Sequence, residues 1–230
     1  MKKLLFAAMI ALGACATRLP QTPPPGLPAE VQAPVALGAQ SWRYTARDGY
    51  TGLPRGTLAY RLIGAQGSTE SFEVRHDNQV WTERYTKDWN WRERPMTNLQ
   101  NFRYDPPYAA LPFPLAPGKR WQTYVRATDP ATGRSNRVRI DGVVLGWYKV
   151  RVPAGEFDTL KVQRYVYAGN AAFFKTEERI EEYDWYAPQL GMVVRSEALS
   201  EHTDTSKTCK GQCNRIRGNW IVTELASYGG

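Results

Sequence analysis

The stretch RWQTYVRATDPATGRSNRVRIDGVVLG, residues 120–146, has the pattern of two β-strands joined by a turn. Apolar and charged residues alternate on both sides of DPATGR, in which Pro130 and Gly133 favour a turn. Val138 and Ile140 point to one side of their strand, and the arginines that alternate with them point to the other. This stretch therefore predicts an antiparallel hairpin with one buried face and one solvated face.

Similar short runs, rich in Val, Ile, Thr, Tyr and Trp and broken by turn residues, recur from about Leu37 to the end of the chain. In one of them Trp121, Thr123 and Val125 share a face. Helical periodicity is nearly absent, and about ten such runs can be counted, most of them in hairpin-like pairs. The sequence therefore predicts an all-β fold with a single domain over residues 37–230.

The segment DPPYAALPFPLAPGKRW, residues 105–121, is the one long irregular stretch in this domain. Its five prolines disfavour a central strand. Three large apolar side chains, those of Tyr108, Leu111 and Phe113, lie among the prolines. We expect the segment to cross an edge or one end of the sheet and to place these side chains in the core.

The first residues, MKKLLFAAMIALGAC, have the order of an export signal, because two lysines precede nine apolar residues and a short run of small ones. The apolar run is too short to cross a bilayer, which takes roughly 18 residues. Leu12–Cys15 resembles the lipobox of bacterial lipoproteins. The resemblance implies a signal peptide over residues 1–14 and a lipid on Cys15. An ordinary signal cleaved near Ala16, with Cys15 discarded, is the alternative.

Residues 15–36 contain six prolines and no apolar periodicity, a composition that favours extended polyproline II. We expect them to be a tether that holds the domain at the bacterial outer membrane, facing the periplasm; a soluble periplasmic protein is the alternative. Removal of residues 1–14 lowers the formal net charge from +8 to +6. A basic exported chain is attracted to anionic lipid head groups and to lipopolysaccharide, and solubility alone is the default interpretation of the charge. No nucleic-acid partner is expected.

Two further cysteines, Cys209 and Cys213, lie close together in TCKGQCNR. Because the periplasm is oxidising, we expect them to form a disulfide that fixes a local turn. A metal site that includes His202 is the alternative, but three candidate ligands with this spacing do not match a usual zinc site. We therefore expect no metal and no cofactor, and we interpret His76 and His202 as surface residues.

Three motifs of the second half of the chain resemble the TapB-like group of uncharacterised exported bacterial proteins. They are Gly118–Trp121 before a strand, Val152–Phe157 at a turn, and Trp185–Gly191 before a late strand. The likeness covers roughly Leu111–Tyr228. It implies a curved, mainly antiparallel sheet, half-barrel or sandwich-like, with a concave interior that accepts an apolar ligand. It implies no catalytic residues.

An acidic cluster, KTEERIEEYD, could suggest a glycosidase, which uses two carboxylates on either side of a bond. On a strand, Glu178, Glu182 and Asp184 share one face. Basic side chains nearby can neutralise the cluster: Lys161, Arg179 and Arg195. We interpret the cluster as a solvated charge ladder, and a carbohydrate-active enzyme that uses Glu182 or Asp184 stays a remote alternative.

Aromatic residues are numerous, with eight Trp and thirteen Tyr. In DWNWRERP, Trp89 and Trp91 fall on one face of a short strand or loop, beside Arg92 and Arg94. Such side chains can stack on glycans or bind lipid head groups, because they combine an apolar body with a polar end. These four residues are candidate ligand or surface contacts, and a pair of core tryptophans is the alternative.

The sequence therefore predicts a non-catalytic envelope lipoprotein that binds an apolar or amphipathic ligand or an envelope partner. A structural or assembly protein of the outer membrane without a small ligand is the alternative. The two hypotheses differ in the interior of the sheet, which has to be hollow for the first and is filled for the second.

Overall fold

The computed structural model describes residues 23–34, 40–96, 100–169, 175–204 and 214–229. These residues form twelve β-strands. In chain order the strands are β1 (Ser41–Asp48), β2 (Pro54–Gln66), β3 (Thr69–His76), β4 (Gln79–Thr86), β5 (Trp91–Pro95), β6 (Asn101–Tyr108), β7 (Arg120–Thr128), β8 (Ser135–Val152), β9 (Gly155–Gly169), β10 (Lys175–Ala187), β11 (Met192–Asp204) and β12 (Arg215–Gly229).

The strands form one closed antiparallel barrel in which each strand pairs with its neighbours in the chain, and β1 closes the barrel by pairing with β12. The all-β, single-domain prediction is confirmed. The prediction of an open half-barrel or sandwich of about ten strands is wrong. The barrel is closed by pairs such as Trp42 with Tyr228, which are far apart in the sequence. The alternation of apolar and polar residues within each strand does not show such a long-range pairing.

The two strands beyond the ten runs counted in the sequence are β5, for which the sequence allows a short strand or a loop, and β6. β5 has only five residues and ends at Pro95, and β6 contains the adjacent Pro106 and Pro107. Proline removes a hydrogen-bond donor from the ladder, which normally argues against a strand. The pairing of β6 with β7 covers only Arg103 to Asp105, and on the β5 side the two prolines fall in the register shift between the Glu93–Arg103 and Trp91–Tyr108 pairs, so neither has to donate to a ladder.

The hairpin predicted from residues 120–146 is present as β7 and β8. Val125 pairs with Val138, and both side chains are buried in the barrel. Trp121 pairs with Gly142 on the same face, and a Cβ at position 142 would lie 2.1 Å from the Trp121 ring. Only glycine leaves room for this ring, so the pair fixes the register of the hairpin.

Aspartates cap two turns at the end of the barrel where β1 finishes. Asp48 Oδ1 accepts hydrogen bonds from the backbone of Tyr50 and Thr51 at 3.0 and 2.9 Å, and Arg55 Nη2 donates to Oδ2 at 2.5 Å. In the β7–β8 turn, Asp129 Oδ1 accepts from the Ala131 backbone at 2.8 Å. Side-chain acceptors of this kind satisfy backbone donors that the ladder leaves free.

The opposite end of the barrel is filled by the connection between β6 and β7. Leu111 and Leu115 of this connection are buried against Leu160 and Val162 of β9. The irregular segment thus enters one end of the core, as predicted. Tyr108, however, belongs to β6.

Part of the proline-rich segment also packs at this end. Val31 is buried and exchanges backbone hydrogen bonds with Leu115, at 2.8 Å in each direction. Residues 23–34 are therefore associated with the barrel. Residues 15–22, which include Cys15, lie outside the described residues.

Candidate functional site

The interior of the barrel holds a cavity of about 590 Å³. Its wall comes mainly from β1 to β5 on one side and β10 to β12 on the other, and Leu111 of the filled end contributes to its floor. The rim includes Arg55, His76 and Asn219. A volume between roughly 300 and 1,000 Å³ is typical of small-molecule sites, so the interior is large enough to hold a ligand.

Seven aromatic side chains line the cavity. Trp42 stacks on Tyr60 with ring centroids 5.5 Å apart. Trp89 stacks on Phe72 at 5.9 Å and meets Tyr85 edge to face at 5.3 Å. These rings also contact one another, so the wall is a connected and preorganised surface.

The turn between β4 and β5 directs Trp89 into this wall. Its φ of 59° is a conformation that residues other than glycine seldom adopt. The Thr86 side chain supports the turn, because its Oγ1 accepts a hydrogen bond from the Asn90 backbone at 3.1 Å. Within the described part of the chain, the buried Nε1 donor of Trp89 has no hydrogen-bond partner.

A register shift in β5 brings both Trp91 and Arg94 to the cavity. Trp91 stacks on Tyr108 with centroids 4.1 Å apart. The Cζ atom of Arg94 lies 4.1 Å from the Trp91 ring centroid, which is a cation–π contact. Two of the four predicted contact residues are thus neighbours in the site.

Arg92 lies elsewhere. It follows Trp91 on the bulged strand, and its Nη2 donates a hydrogen bond of 3.3 Å to Ser68 Oγ at an exposed position. The structure therefore brings Trp89, Trp91 and Arg94 to the cavity wall and leaves Arg92 out of it. Contact with a ligand stays a prediction for all four residues.

Glu83 of β4 is a buried carboxylate at the edge of the cavity, with 1% of its surface exposed. Trp81 Nε1 donates to its Oε1 at 3.0 Å, and the Tyr85 hydroxyl donates to its Oε2. Arg94 Nε lies 3.7 Å from Oε2, too far for a hydrogen bond. The carboxylate is therefore satisfied mainly by neutral donors.

A second charged cluster lies deeper in the interior. Arg164 of β9 is 1% exposed and donates through Nε to Glu182 Oε2 at 2.8 Å and through Nη2 to Asp184 Oδ2 at 2.7 Å. Its Nη1 donates to the Ala110 carbonyl at 3.0 Å, and the Tyr108 hydroxyl donates to Glu182 at 2.7 Å.

This cluster corrects the sequence interpretation of the acidic segment. Glu178, Glu182 and Asp184 share a face, as predicted, but they are buried and do not form a solvated ladder. The partner of Glu182 and Asp184 is Arg164, since the basic residues first considered lie elsewhere. Arg195, for example, pairs with Glu197 and Glu224.

The interior environment keeps Arg164 and the buried tyrosines in fixed protonation states. Burial by itself would lower the pKa of Arg164, but the carboxylates of Asp184 and Glu182 outweigh it and raise that pKa above its usual range. Burial raises the pKa of the Tyr108 and Tyr85 phenols well above the ordinary value. These phenols are therefore neutral donors to the carboxylates at neutral pH.

His202 differs from the surface interpretation, because it is buried on β11. His76, at the rim of the cavity, has its Nε2 2.7 Å from the Arg55 carbonyl oxygen, with 20% of its side chain exposed. Cys209 and Cys213 lie outside the described residues, so their disulfide stays a prediction.

Comparison with known proteins gives distant likenesses. No protein-family model matches the chain, and no curated protein matches it. Among solved structures, a candidate lipoprotein from Parabacteroides distasonis is 14% identical with a TM-score of 0.45, over 87% of this chain and 99% of its own. A candidate exported protein with a YmcC-like fold from Bacteroides fragilis is 17% identical with a TM-score of 0.45, over 87% and 100%. The hypothetical lipoprotein YmcC from Escherichia coli is 10% identical with a TM-score of 0.40, over 83% and 85%.

The part of the chain that the structure describes contains no group of three or more His, Cys, Asp or Glu side chains placed to hold a metal ion. Within the same residues, no helix has the length and hydropathy needed to cross a bilayer.

The sequence analysis missed Glu83 and Arg164. Each of them could have been recognised in the sequence, because it is a charged residue between apolar residues on the same face of its strand. Glu83 lies between Trp81 and Tyr85, and Arg164 lies between two valines. A charge on an inward face needs a partner inside the protein. The pattern indicates an internal ion pair, although it does not identify the partner.

Proposed function

We propose that this protein is a non-catalytic lipoprotein of the bacterial envelope that binds an apolar or amphipathic ligand inside its barrel. The observation that supports this proposal is the aromatic-walled cavity of about 590 Å³. A purely structural or assembly protein of the outer membrane needs no such space, because well-packed interiors leave few voids larger than a water molecule. The hollow interior therefore favours ligand binding over the structural alternative.

The walls match an amphipathic molecule better than a purely apolar one. Trp42, Tyr60, Trp89 and Trp91 offer apolar area, and Arg94 provides a charge at the same surface. Burial of hydrocarbon against such walls contributes roughly 25 cal/mol per Å² of apolar surface removed from water.

The same geometry argues against the remote alternative of a carbohydrate-active enzyme. Glu182 and Asp184 are both hydrogen-bonded to one guanidinium. A glycosidase needs two carboxyl groups that face a glycosidic bond from its two sides, whereas these two are both engaged by the same arginine side chain.

The cellular location rests on the N-terminal sequence. We propose that Cys15 carries the lipid and that residues 16–22 link it to the packed part of the proline-rich segment. Anchoring requires more than one acyl chain, because a single chain binds a membrane only marginally. The outer membrane is the proposed destination, and the periplasm is the compartment that the cavity faces.

The ligand proposal is tested with the neutral apolar dye 1-N-phenylnaphthylamine, whose fluorescence rises in apolar surroundings. The full chain with Cys15→Ser is used, since neither a lipid anchor nor detergent then competes. Ala198→Trp places a large ring in the cavity, and Ala59→Trp places the same ring on the outer face of β2 as a matched control.

We expect saturable dye binding by the Cys15→Ser chain, loss of binding with Ala198→Trp, and unchanged binding with Ala59→Trp. Circular dichroism checks that each variant is folded. No dye binding, or equal binding by both tryptophan variants, would contradict a ligand site in the barrel.

A further inference from the structure

Arg94 has hydrogen-bonding capacity that the protein does not use. A guanidinium carries five N–H donors, and among the described residues that of Arg94 donates no hydrogen bond. Its Nε is buried without a partner, and the nearest carboxylate oxygen, Glu83 Oε2, is 3.7 Å away. Arg164 differs, because each of its three nitrogens donates within 3.0 Å.

The acceptors near Arg94 already have partners. Glu83 accepts from Trp81 and Tyr85, and it offsets the formal charge of Arg94. Across the whole cavity three guanidiniums face four carboxylates, of which Arg55 pairs with Asp48 and Glu197 pairs with Arg195, both partners lying outside the lining. The excess negative charge belongs to Glu182 and Asp184, which are both bonded to Arg164. The groups near Arg94 that can still form hydrogen bonds are therefore donors, which require an acceptor on the ligand.

A second unused donor lies nearby. Trp89 Nε1 is buried and has no partner among the residues that the structure describes. The Trp89 ring lies 5.3 Å from the Tyr85 ring, and Arg94 Cζ lies 5.9 Å from the same ring. Buried donors without an acceptor are costly, and a ligand oxygen removes that cost. Arg94 also has 27% of its side-chain surface exposed, and it lines the cavity.

We propose that Arg94 binds the anionic oxygen head group of an amphiphile whose hydrocarbon tail lies against the aromatic wall of the cavity. A carboxylate or a phosphate monoester has this chemistry, and either can accept two parallel N–H bonds from the guanidinium. The Glu83 carboxylate at 3.7 Å favours a singly charged head over a doubly charged one. This proposal rests on the proposed ligand site in the barrel.

The test measures displacement of 1-N-phenylnaphthylamine from the Cys15→Ser chain by four amphiphiles with the same ten-carbon alkyl tail: undecanoate, decyl phosphate, decanol and decyltrimethylammonium. We expect undecanoate and decyl phosphate to displace the dye at concentrations about tenfold or more below those of the other two, because hydrogen bonds to a charged group contribute on this order. The ranking of the two anions distinguishes a carboxylate ligand from a phosphate ligand.

Arg94→Gln should abolish the preference for anions, measured as the ratio of the displacing concentrations of decyl phosphate and decanol. Arg92→Gln, two residues away and outside the cavity, should leave both this ratio and the affinity for the dye unchanged. Arg94→Lys keeps the charge without the planar fork and should retain part of the preference.

Several results would overturn the proposal. They are equal displacement by all four amphiphiles, stronger displacement by decyltrimethylammonium, or an anion preference that persists in Arg94→Gln. Loss of dye binding along with the anion preference in a folded Arg94→Gln would assign Arg94 a structural role. If Arg94→Gln does not fold, the ranking of the four amphiphiles with the unsubstituted Arg94 decides. Absence of dye binding by that chain would instead contradict the ligand site itself.

Discussion

Arg164 and Glu182 form a hydrogen-bonded ion pair inside the barrel, with Arg164 Nε 2.8 Å from Glu182 Oε2. The two residues belong to neighbouring strands, β9 and β10, and are directly paired in the ladder. The pair occupies the interior next to the cavity and joins the cavity wall to the filled end of the barrel, because Arg164 also binds the Ala110 carbonyl.

Arg164→Met should strongly destabilise the protein, because it leaves the carboxylates of Glu182 and Asp184 buried without their cation. Removal of one partner from a buried ion pair costs ~3–5 kcal/mol. Urea denaturation of the Cys15→Ser chain measures the change in the free energy of unfolding. The control is Arg75→Met, which breaks an exposed pair with Glu73 and should cost less than about 1 kcal/mol. Equal effects of the two substitutions would show that the internal pair has no special role.

Trp121→Ala should also lower the free energy of unfolding, by ~3–5 kcal/mol, as other large core truncations do. The substitution removes the ring that covers Gly142 and the hydrogen bond from Trp121 Nε1 to the Ala109 carbonyl at 3.2 Å. Tyr124→Ala, on the opposite face of β7 and 44% exposed, should change stability by less than about 1 kcal/mol. A melting temperature of Trp121→Ala close to that of Tyr124→Ala would contradict this assignment.

Asp48 should make the barrel sensitive to acid. Its hydrogen bonds from Arg55 and from the turn backbone lower its pKa from 3.8 to about 2. Because the folded pKa lies below the unfolded one, the stabilisation is fully present above pH 3.8 and is lost as pH falls from 3.8 towards about 2.

Melting temperatures of Asp48→Asn and of the chain with Asp48 are compared over this range. Their difference should be constant near neutral pH and shrink as pH falls through the window. Other carboxylates with lowered pKa values, such as Glu73 and Asp129, titrate in both proteins and cancel in the difference. A difference that does not change with pH would show that Asp48 stabilises the turn without its charge.

Cys15→Ser should release the protein from membranes, because serine cannot carry the thioether-linked lipid expected of a lipobox cysteine. Fractionation of cells and mass spectrometry of the mature N-terminus measure this directly. Cys209→Ser is the matched control and should leave the protein in the membrane fraction. Equal membrane association of the Cys15→Ser chain, or a mature chain that begins after residue 15, would disprove the lipid assignment.

Cys209 and Cys213 should resist alkylation in the unreduced, denatured chain and react after reduction. The loop between them is short, so its closure removes little entropy from the unfolded chain. We therefore expect reduction to lower the melting temperature only slightly. Free thiols in the exported protein would contradict the disulfide, and a large fall in melting temperature would contradict its local role.

The sequence determined which residues share a face. Trp121 and Val125 were placed together, as were Glu182 and Asp184, and the structure agrees. This part is predictable because alternation follows from the geometry of a single strand and needs no knowledge of distant residues. β5 and β6 were not counted as strands because Pro95, Pro106 and Pro107 disfavour a strand locally. The short ladders of these two strands nevertheless accommodate the three prolines.

The candidate site was predictable only in part. Trp89, Trp91 and Arg94 were singled out by composition, but a surface and a cavity wall give the same pattern in so short a segment. The structure separated Arg92 from the other three through the register shift in β5. Glu83 and its two donors, Trp81 and Tyr85, all lie on β4 and share a face by local alternation, but their place at a cavity follows only from closure of the barrel.

Closure of the barrel was decided by the tertiary structure alone. The pairing of Trp42 with Tyr228 converts a sheet into a tube, and with it one face of every strand becomes an interior. Local alternation is identical in an open sheet and in a barrel, because it records only that two faces differ. Whether the inner face encloses a cavity depends on long-range pairing and on the volume that the enclosed side chains leave unfilled.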